Sequence, residues 1–342
     1  METIKNAIAE NFTGALGTVG STNFSLEEVP DLSGKVAVLT GGTEGIGFGS
    51  LHTLLSKNIA KVYMTSRRQE KADEALKAIE EGLGAEARKK VVYFQDDQSD
   101  WTQTGKVASE IASQADRIDI LICNAARGIM TYQPAPTNGY DLHFAVNHAG
   151  HEVIVSHLLP ILKQTAEKGS TVRIVFMSSS LHASAPSGLE FKSKDDLKKD
   201  YGPNGQYGQA KLMNLLHSRY LDKHLHAEYP KILINAVHPG IVDTAQTNEH
   251  IHEPYPILGY GMSLAMKPVK KTQFEGCVSC MFAATVTSGS GQYIAPPCTV
   301  EKTSAQGEDM ELAERLMKLT REVIQEQTKT DSSDKGCPFK DY

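Results

Sequence analysis

Cysteine is scarce in this chain and its count is odd, with five among 342 residues. So thin and odd a supply of thiols builds no disulfide framework and fits a reducing compartment. Positive charge is not in excess either. The 35 Lys and Arg are outnumbered by 41 Asp and Glu, a net charge of −6. Nucleic-acid phosphates call for a basic face, so no nucleic-acid partner is expected. No stretch approaches the roughly 18 uninterrupted apolar residues that span a bilayer. The opening METIKNAIAENF has neither a basic n-region nor a long apolar core. No secretory signal is expected, and a cytoplasmic placement follows. No repeat recurs at solenoid or propeller spacing.

The remainder is ordinary: 40% hydrophobic and 22% charged residues, the composition of a soluble folded chain. At roughly 150 residues per domain, the length allows two domains or one large α/β domain with insertions. Residues 1–31 read as an extension, because Gly14, Gly17 and Gly20 interrupt any helix beyond a short amphipathic stretch at 3–12. From about residue 329 the chain is polar and reads as a tail. Between these ends, apolar runs at 36–40, 60–66, 91–95, 118–123, 172–177 and 232–237 alternate with helical patterns. The helical stretches are 46–57, 69–81 and those near 101–115, 139–168 and 206–229. Continuous apolar strands separated by helices imply an α/β fold, a doubly wound parallel sheet covered on both faces. Its crossovers should be right-handed.

The first strand runs into Thr40, Gly41, Gly42, Thr43, Glu44, Gly45, Ile46 and Gly47, and then a helix. Glycines at 41, 45 and 47 leave bare backbone where a pyrophosphate must come close. The helix start adds free N–H groups and a positive dipole end. Strand before and helix after is the context that favours a dinucleotide over a merely structural turn. No Gly-Lys-Ser/Thr ending is present, which argues against ATP or GTP. A carboxylate near the end of the second strand would hold the ribose hydroxyls of NAD. That strand instead ends in Thr65, Ser66, Arg67 and Arg68. Two guanidiniums suit a 2′-phosphate, so the reading leans to NADP(H); the alternative is a solvated pair at a helix start. Glu44 cuts the other way by placing negative charge in the phosphate loop.

Tyr207 and Lys211 stand four residues apart in a segment whose Leu212, Leu215 and Leu216 suggest a helix. They then share one face. A phenol titrates near about 10 and is a poor acid or base at neutral pH. A neighbouring ammonium would lower that value towards the working range. Alone, such a pair has low specificity.

With these in hand, the motifs come in a familiar order: TGGTEGIG at 40–47, CNAA at 123–126, Asn147, Ser179, YGQAK at 207–211 and HPGIVDT at 238–244. The chain resembles the short-chain dehydrogenases/reductases over about 32–297, and within them the retinol-dehydrogenase-like and fungal oxidoreductase members. DLSGKVAVLTGG, FAVNHAGH and GQYIAPP carry that closer likeness. The resemblance implies a single Rossmann-like catalytic domain, about 32–300, with a parallel sheet of about seven strands. Residues 301–342 would be a C-terminal helix and polar tail. It implies Tyr207 as catalytic acid/base, Lys211 as the residue that lowers its pKa and holds the nicotinamide ribose, and Ser179 as a hydrogen-bond donor to the substrate oxygen. Ser178 and Ser180 are register alternatives. Asn147 would support Lys211 through a water-linked relay. Cofactor contacts would come from Gly41, Thr43, Glu44, Gly45, Ile46, Gly47, Arg67, Arg68, Asp97, Gln98, Asn124, Ala125, Tyr207, Lys211, Pro239, Gly240, Val242 and Thr244.

Two departures stand out. CNAA replaces the family's NNAG at 123–126, which puts that loop's detail in doubt. Ser179 and Tyr207 are 28 residues apart, and the polar stretch 186–205 between them reads as a substrate-side loop or an inert insertion. Residues 243–267, with Tyr255 and Tyr260 among Pro and Gly, read as a substrate lid or an ordinary surface loop. Cys277 and Cys280 have metal or redox spacing, but no second pair is near, so they read as core thiols. His143, His148, His151 and His157 read as scattered along a helix, with one or two able to face the site. No metal is expected. The resulting function is an NADP(H)-dependent alcohol dehydrogenase or carbonyl reductase acting on a small, apolar alcohol or carbonyl. The alternatives are a silent cofactor-binding sensor or scaffold, or an epimerase or dehydratase on the same fold. Family resemblance also implies a homodimer or homotetramer built through the helices near 140–168 and 206–229.

Overall fold

The computed structural model describes residues 24–240, 242, 271–329 and 337. One eight-stranded sheet organises them, in the order β3-β2-β1-β4-β5-β6-β7-β8. The strands are β1 (Val36–Thr40), β2 (Lys61–Ser66), β3 (Val91–Gln95), β4 (Ile120–Cys123), β5 (Val172–Met177), β6 (Ile232–Val237), β7 (Tyr293–Ala295) and β8 (Thr299–Val300). The first seven pair in parallel, and β8 returns antiparallel to β7. The expected seven-stranded parallel sheet is therefore present, with one short antiparallel strand added.

The principal helices are α1 (Gly45–Ser56), α2 (Gln69–Leu83), α3 (Trp101–Gln114), α4 (Gly150–Glu167), α5 (Gly202–Leu225), α6 (Gln273–Thr285) and α7 (Met310–Thr328). Their starts are chemically marked. The Asp100, Thr272 and Asp309 side chains accept the free N–H groups that open α3, α6 and α7, and Pro203 sits in the first turn of α5. The strands are apolar along their whole length because both sheet faces are covered. One core packs α3, α4, α5 and α7 on one face, and the other packs α1, α2 and α6 on the opposite face.

Helix α7 is anchored through a buried carboxylate. Glu152 of α4 is fully buried and accepts from Arg321 Nε at 2.7 Å, with His217 Nε2 of α5 at 2.7 Å on its other oxygen. Burial pushes the Glu152 carboxyl up, but the Arg321 and His217 charges outweigh it and hold it below the usual range. The face of α5 that α7 covers is thereby occupied within the chain. The 186–205 stretch is tied to α7 as well: Arg315 Nε donates to Glu190 O at 2.8 Å, and Leu189, Phe191 and Leu197 enter the core. This insertion is packed structure. Residues 1–23, the whole 243–267 lid stretch with Thr244, and most of the tail lie outside the described residues.

Candidate active site

The strand order reverses between β1 and β4, and open α/β sheets bind ligands at such a switch point, beyond the carboxyl ends of the strands. The glycine loop lies there. Gly41 has φ +65° and Gly45 φ +54°, a region that side chains other than Gly rarely adopt. At Gly47 a Cβ would stand 2.0 Å from Gly41 O and 2.6 Å from Asn124 Nδ2. The start of α1 takes no side-chain cap from Glu44, so its first N–H groups face the loop. Bare backbone, free donors and a helix start together fit a pyrophosphate. The Gly47→Ala variant is expected to raise the NADPH Kd by at least about tenfold while the chain still folds, because the displaced atoms belong to the cradle itself. Fluorescence titration alongside a thermal melt checks it.

Asn124 closes the cradle from β4. Its Nδ2 donates to Thr40 O at 2.9 Å and Gly41 O at 3.0 Å, and the Asn124 and Ala125 N–H groups both donate to Thr40 Oγ1 at 2.9 Å. Thr40 carries this loop, a role that its strand position alone does not announce. The negative charge that Glu44 brings to the loop has partners. Its carboxylate is met by Arg68 Nη2 at 2.9 Å and Lys71 Nζ at 3.5 Å. The Arg67 side chain is exposed and makes no ion pair among the described residues. Thr43 and Ile46 are half-buried in the same turn.

Other expected contacts are placed less directly. Asp97 Oδ1 accepts from the Ser99 N–H and hydroxyl in a local turn. Gln98 differs from expectation. Its side chain turns inward against Gly150, with both amide atoms enclosed and unpaired among the described residues. Val242 is also packed inward, against Gly276 of α6, because α6 needs a covered flank there. Pro239 and Gly240 follow β6 and are half-buried, with Gly240 N donating to His238 Nδ1 at 3.3 Å.

The reactive groups converge from three elements. Ser179 follows β5 and starts a 3₁₀ turn, and its side chain lies close enough to Tyr207 of α5 to act on the phenol. Ser178 is committed elsewhere, donating to Lys211 O at 2.8 Å, and Ser180 lies within the turn. Of the three registers, Ser179 is the one that meets Tyr207. Lys211 Nζ lies 5.4 Å from the Tyr207 ring centroid and donates to Met177 O at 3.0 Å. Asn147 sits in a π-helical turn (Ala145–Ala149), its side chain paired with Arg127 N at 2.6 Å and Arg127 O at 3.0 Å. Its side chain makes no direct hydrogen bond to Lys211.

The electrostatics depart from the sequence expectation. Burial pushes the Tyr207 phenol up to about 12, with the Ser179 hydroxyl acting the other way. Burial pushes Lys211 down to about 8. In the cofactor-free chain, desolvation dominates both groups, and the ammonium does not lower the phenol. The five cysteines, all buried, form no disulfide; Cys277 and Cys280 sit on the core face of α6. No described helix is long and apolar enough to cross a membrane.

Comparison with known proteins bears on this arrangement. A family model described as short chain dehydrogenase matches residues 35–188. The oxidoreductase bli-4 of Neurospora crassa, named as mitochondrial, is 46% identical over 346 residues, covering 100% of this chain and 84% of that protein. Polyprenol dehydrogenase of Danio rerio is 31% identical over 276 residues, 79% of each chain. Among solved structures, the Pseudomonas aeruginosa RhlG/NADP active-site complex shares the fold at a TM-score of 0.58 and 22% identity, covering 78% of this chain and 96% of that one.

Proposed function

Because the chain belongs to the short-chain dehydrogenase/reductase family, we propose that it is an NADP(H)-dependent oxidoreductase interconverting an alcohol and a ketone or aldehyde, with Tyr207 as general acid/base. The observation that carries this is Lys211 Nζ 5.4 Å from the Tyr207 ring on the same helix face, with the Ser179 side chain beside that phenol and a glycine loop whose Gly47 leaves no room for a Cβ. When bound, the nicotinamide supplies or accepts the hydride. Ser179 and Tyr207 hold the substrate oxygen between their hydroxyls. In reduction, Tyr207 gives its proton to the oxygen as negative charge develops there, and in oxidation it takes that proton back. A phenol held protonated is ready for the first direction. Lys211, whose ammonium burial pushes down to about 8, would resupply a proton to Tyr207, with Asn147 as the next support.

Cofactor contacts would come from Gly41, Thr43, Gly45, Ile46, Gly47, Asn124 and Ala125 around the pyrophosphate and from Arg67 at a 2′-phosphate. Asp97 stands at the adenine end, and Pro239 and Gly240 at the nicotinamide end. With Arg68 drawn to Glu44, Arg67 carries the NADP preference. The Arg67→Ala variant is expected to raise the NADPH Kd by about tenfold, the worth of a charge-assisted hydrogen bond, and to leave NADH affinity nearly unchanged. Parallel titrations with the two cofactors decide it.

An apolar alcohol or carbonyl is the substrate class we favour, in keeping with the likeness to a polyprenol dehydrogenase. The compartment is a reducing one, either the cytoplasm or the mitochondrion in which the Neurospora relative is named. A homodimer or homotetramer would use a surface other than the one α7 covers. The deciding experiment is stoichiometric NADPH oxidation by the purified chain against a panel of ketones and aldehydes. Turnover supports the proposal. Tight cofactor binding with no turnover supports a silent sensor, and product formation without net cofactor consumption supports an epimerase or dehydratase.

A further inference from the structure

The glycine cradle and the Asn147 turn sit at the ends of different elements, and one imidazole joins them. His151 lies one helical turn beyond Asn147 and is fully buried. Its Nδ1 is 2.9 Å from Asn147 O and its Nε2 is 3.0 Å from Thr40 Oγ1. A carbonyl only accepts, so Nδ1 carries the proton. Burial pushes the ring down to about 3, outweighing that bond to Asn147, so the imidazole is neutral and Nε2 accepts. The Thr40 hydroxyl has one proton, and Nε2 is where it goes. Both hydroxyl lone pairs are then left for the Asn124 and Ala125 N–H groups. Without the imidazole, the hydroxyl would turn its proton to Ile122 O at 3.4 Å, and its lone pairs would rotate away from those two amides.

We propose that His151 is a positioning residue: it orients the Thr40 hydroxyl so that the Asn124–Ala125 backbone is held beside the glycine cradle, and it fixes the Asn147 carbonyl in the π-helical turn. The two ends of the ring do separable jobs. One acts on the cofactor loop, the other on the element that supports Lys211. The catalytic consequence rests on the function proposed above, but the structural link does not.

Two substitutions divide the ring. His151→Asn keeps a donor near Asn147 O and loses the acceptor for Thr40. His151→Gln keeps an acceptor near Thr40 and loses the donor. His151→Leu removes both, and Thr40→Val, nearly isosteric, removes the hydroxyl from the other end. Amide hydrogen exchange at Asn124 and Ala125 in the cofactor-free chain is expected to speed up by about tenfold in His151→Leu, His151→Asn and Thr40→Val, and to stay near wild type in His151→Gln. The NADPH Kd should follow the same pattern. The kcat should follow the other end, falling in His151→Leu and His151→Gln and holding in His151→Asn. Unchanged exchange at both amides in His151→Leu and Thr40→Val overturns the proposal. So does a set of losses that simply tracks Tm across the variants. If the wild-type chain binds no nicotinamide cofactor, the functional reading fails, while the exchange measurement still decides the role of His151.

Discussion

Replacing Tyr207 by Phe is expected to lower kcat by about 10³-fold, within the range that a positioned proton donor contributes, while NADPH binding changes little. The variant deletes one oxygen. That oxygen is the one the Ser179 side chain acts on. The ring itself stays, so its packing on α5 and its place under Lys211 Nζ, 5.4 Å away, are kept. Steady-state rates with the best carbonyl of the panel, read beside a fluorescence titration of NADPH, make the test. A variant within about tenfold of wild-type turnover removes Tyr207 from the chemistry and leaves only a nucleotide-binding fold.

Lys211→Met carries an effect of opposite sign on stability and on activity. The wild-type ammonium is 3% exposed and its pKa is pushed down by burial from the ordinary 10.5 to about 8. Between those two values the unfolded chain binds more protons than the native one, so native stability rises with pH across that window. Below pH 8 the native state carries the full cost of a buried ammonium, on the order of 3 kcal/mol. Methionine has similar length and no charge. Met177 O, which Lys211 Nζ leaves behind, still accepts from Asn214 Nδ2 at 3.0 Å. The cofactor-free Lys211→Met chain should therefore melt several degrees above wild type at pH 7, with the gap closing as pH approaches 10.5. Turnover should fall by about 10²-fold or more and NADPH affinity should weaken, since one side chain serves proton transfer and the ribose. Equal Tm values at pH 7 would show that the ammonium is better solvated than its burial implies.

The two predictions draw on different kinds of information. Tyr207 and Lys211 were legible as a pair because a spacing of four on an apolar-faced helix fixes their common side. Their electrostatics were not legible, because desolvation depends on what other elements pack around them. The six long strands were also plain in the sequence, since a strand buried on both faces has no reason to alternate. β7 and β8, three and two residues long, leave too short a pattern to recognise. The triplet at 178–180 offered three registers, and only the bond from Ser178 to Lys211 O and the approach of the Ser179 side chain to Tyr207 separated them. Gln98 and Val242 occupy expected positions along the chain, yet their side chains face inward, and nothing in their order along the chain encodes that direction. His151 looked like one of several scattered helical histidines. Only the approach of Thr40 at the end of β1 gives it a task.

Local chemistry, then, is written in the chain: periodicity sets strands and helices, glycines set where backbone can meet phosphate, and residue types set which groups can move a proton. Which groups lose their water, which carboxylate neutralises which guanidinium, and which hydroxyl an imidazole orients are properties of distant segments brought together. Arg68 on Glu44, Arg321 on Glu152 and His151 on Thr40 are such pairs. They exist only after the sheet has closed around them, because solvation and hydrogen-bond direction depend on three-dimensional neighbours.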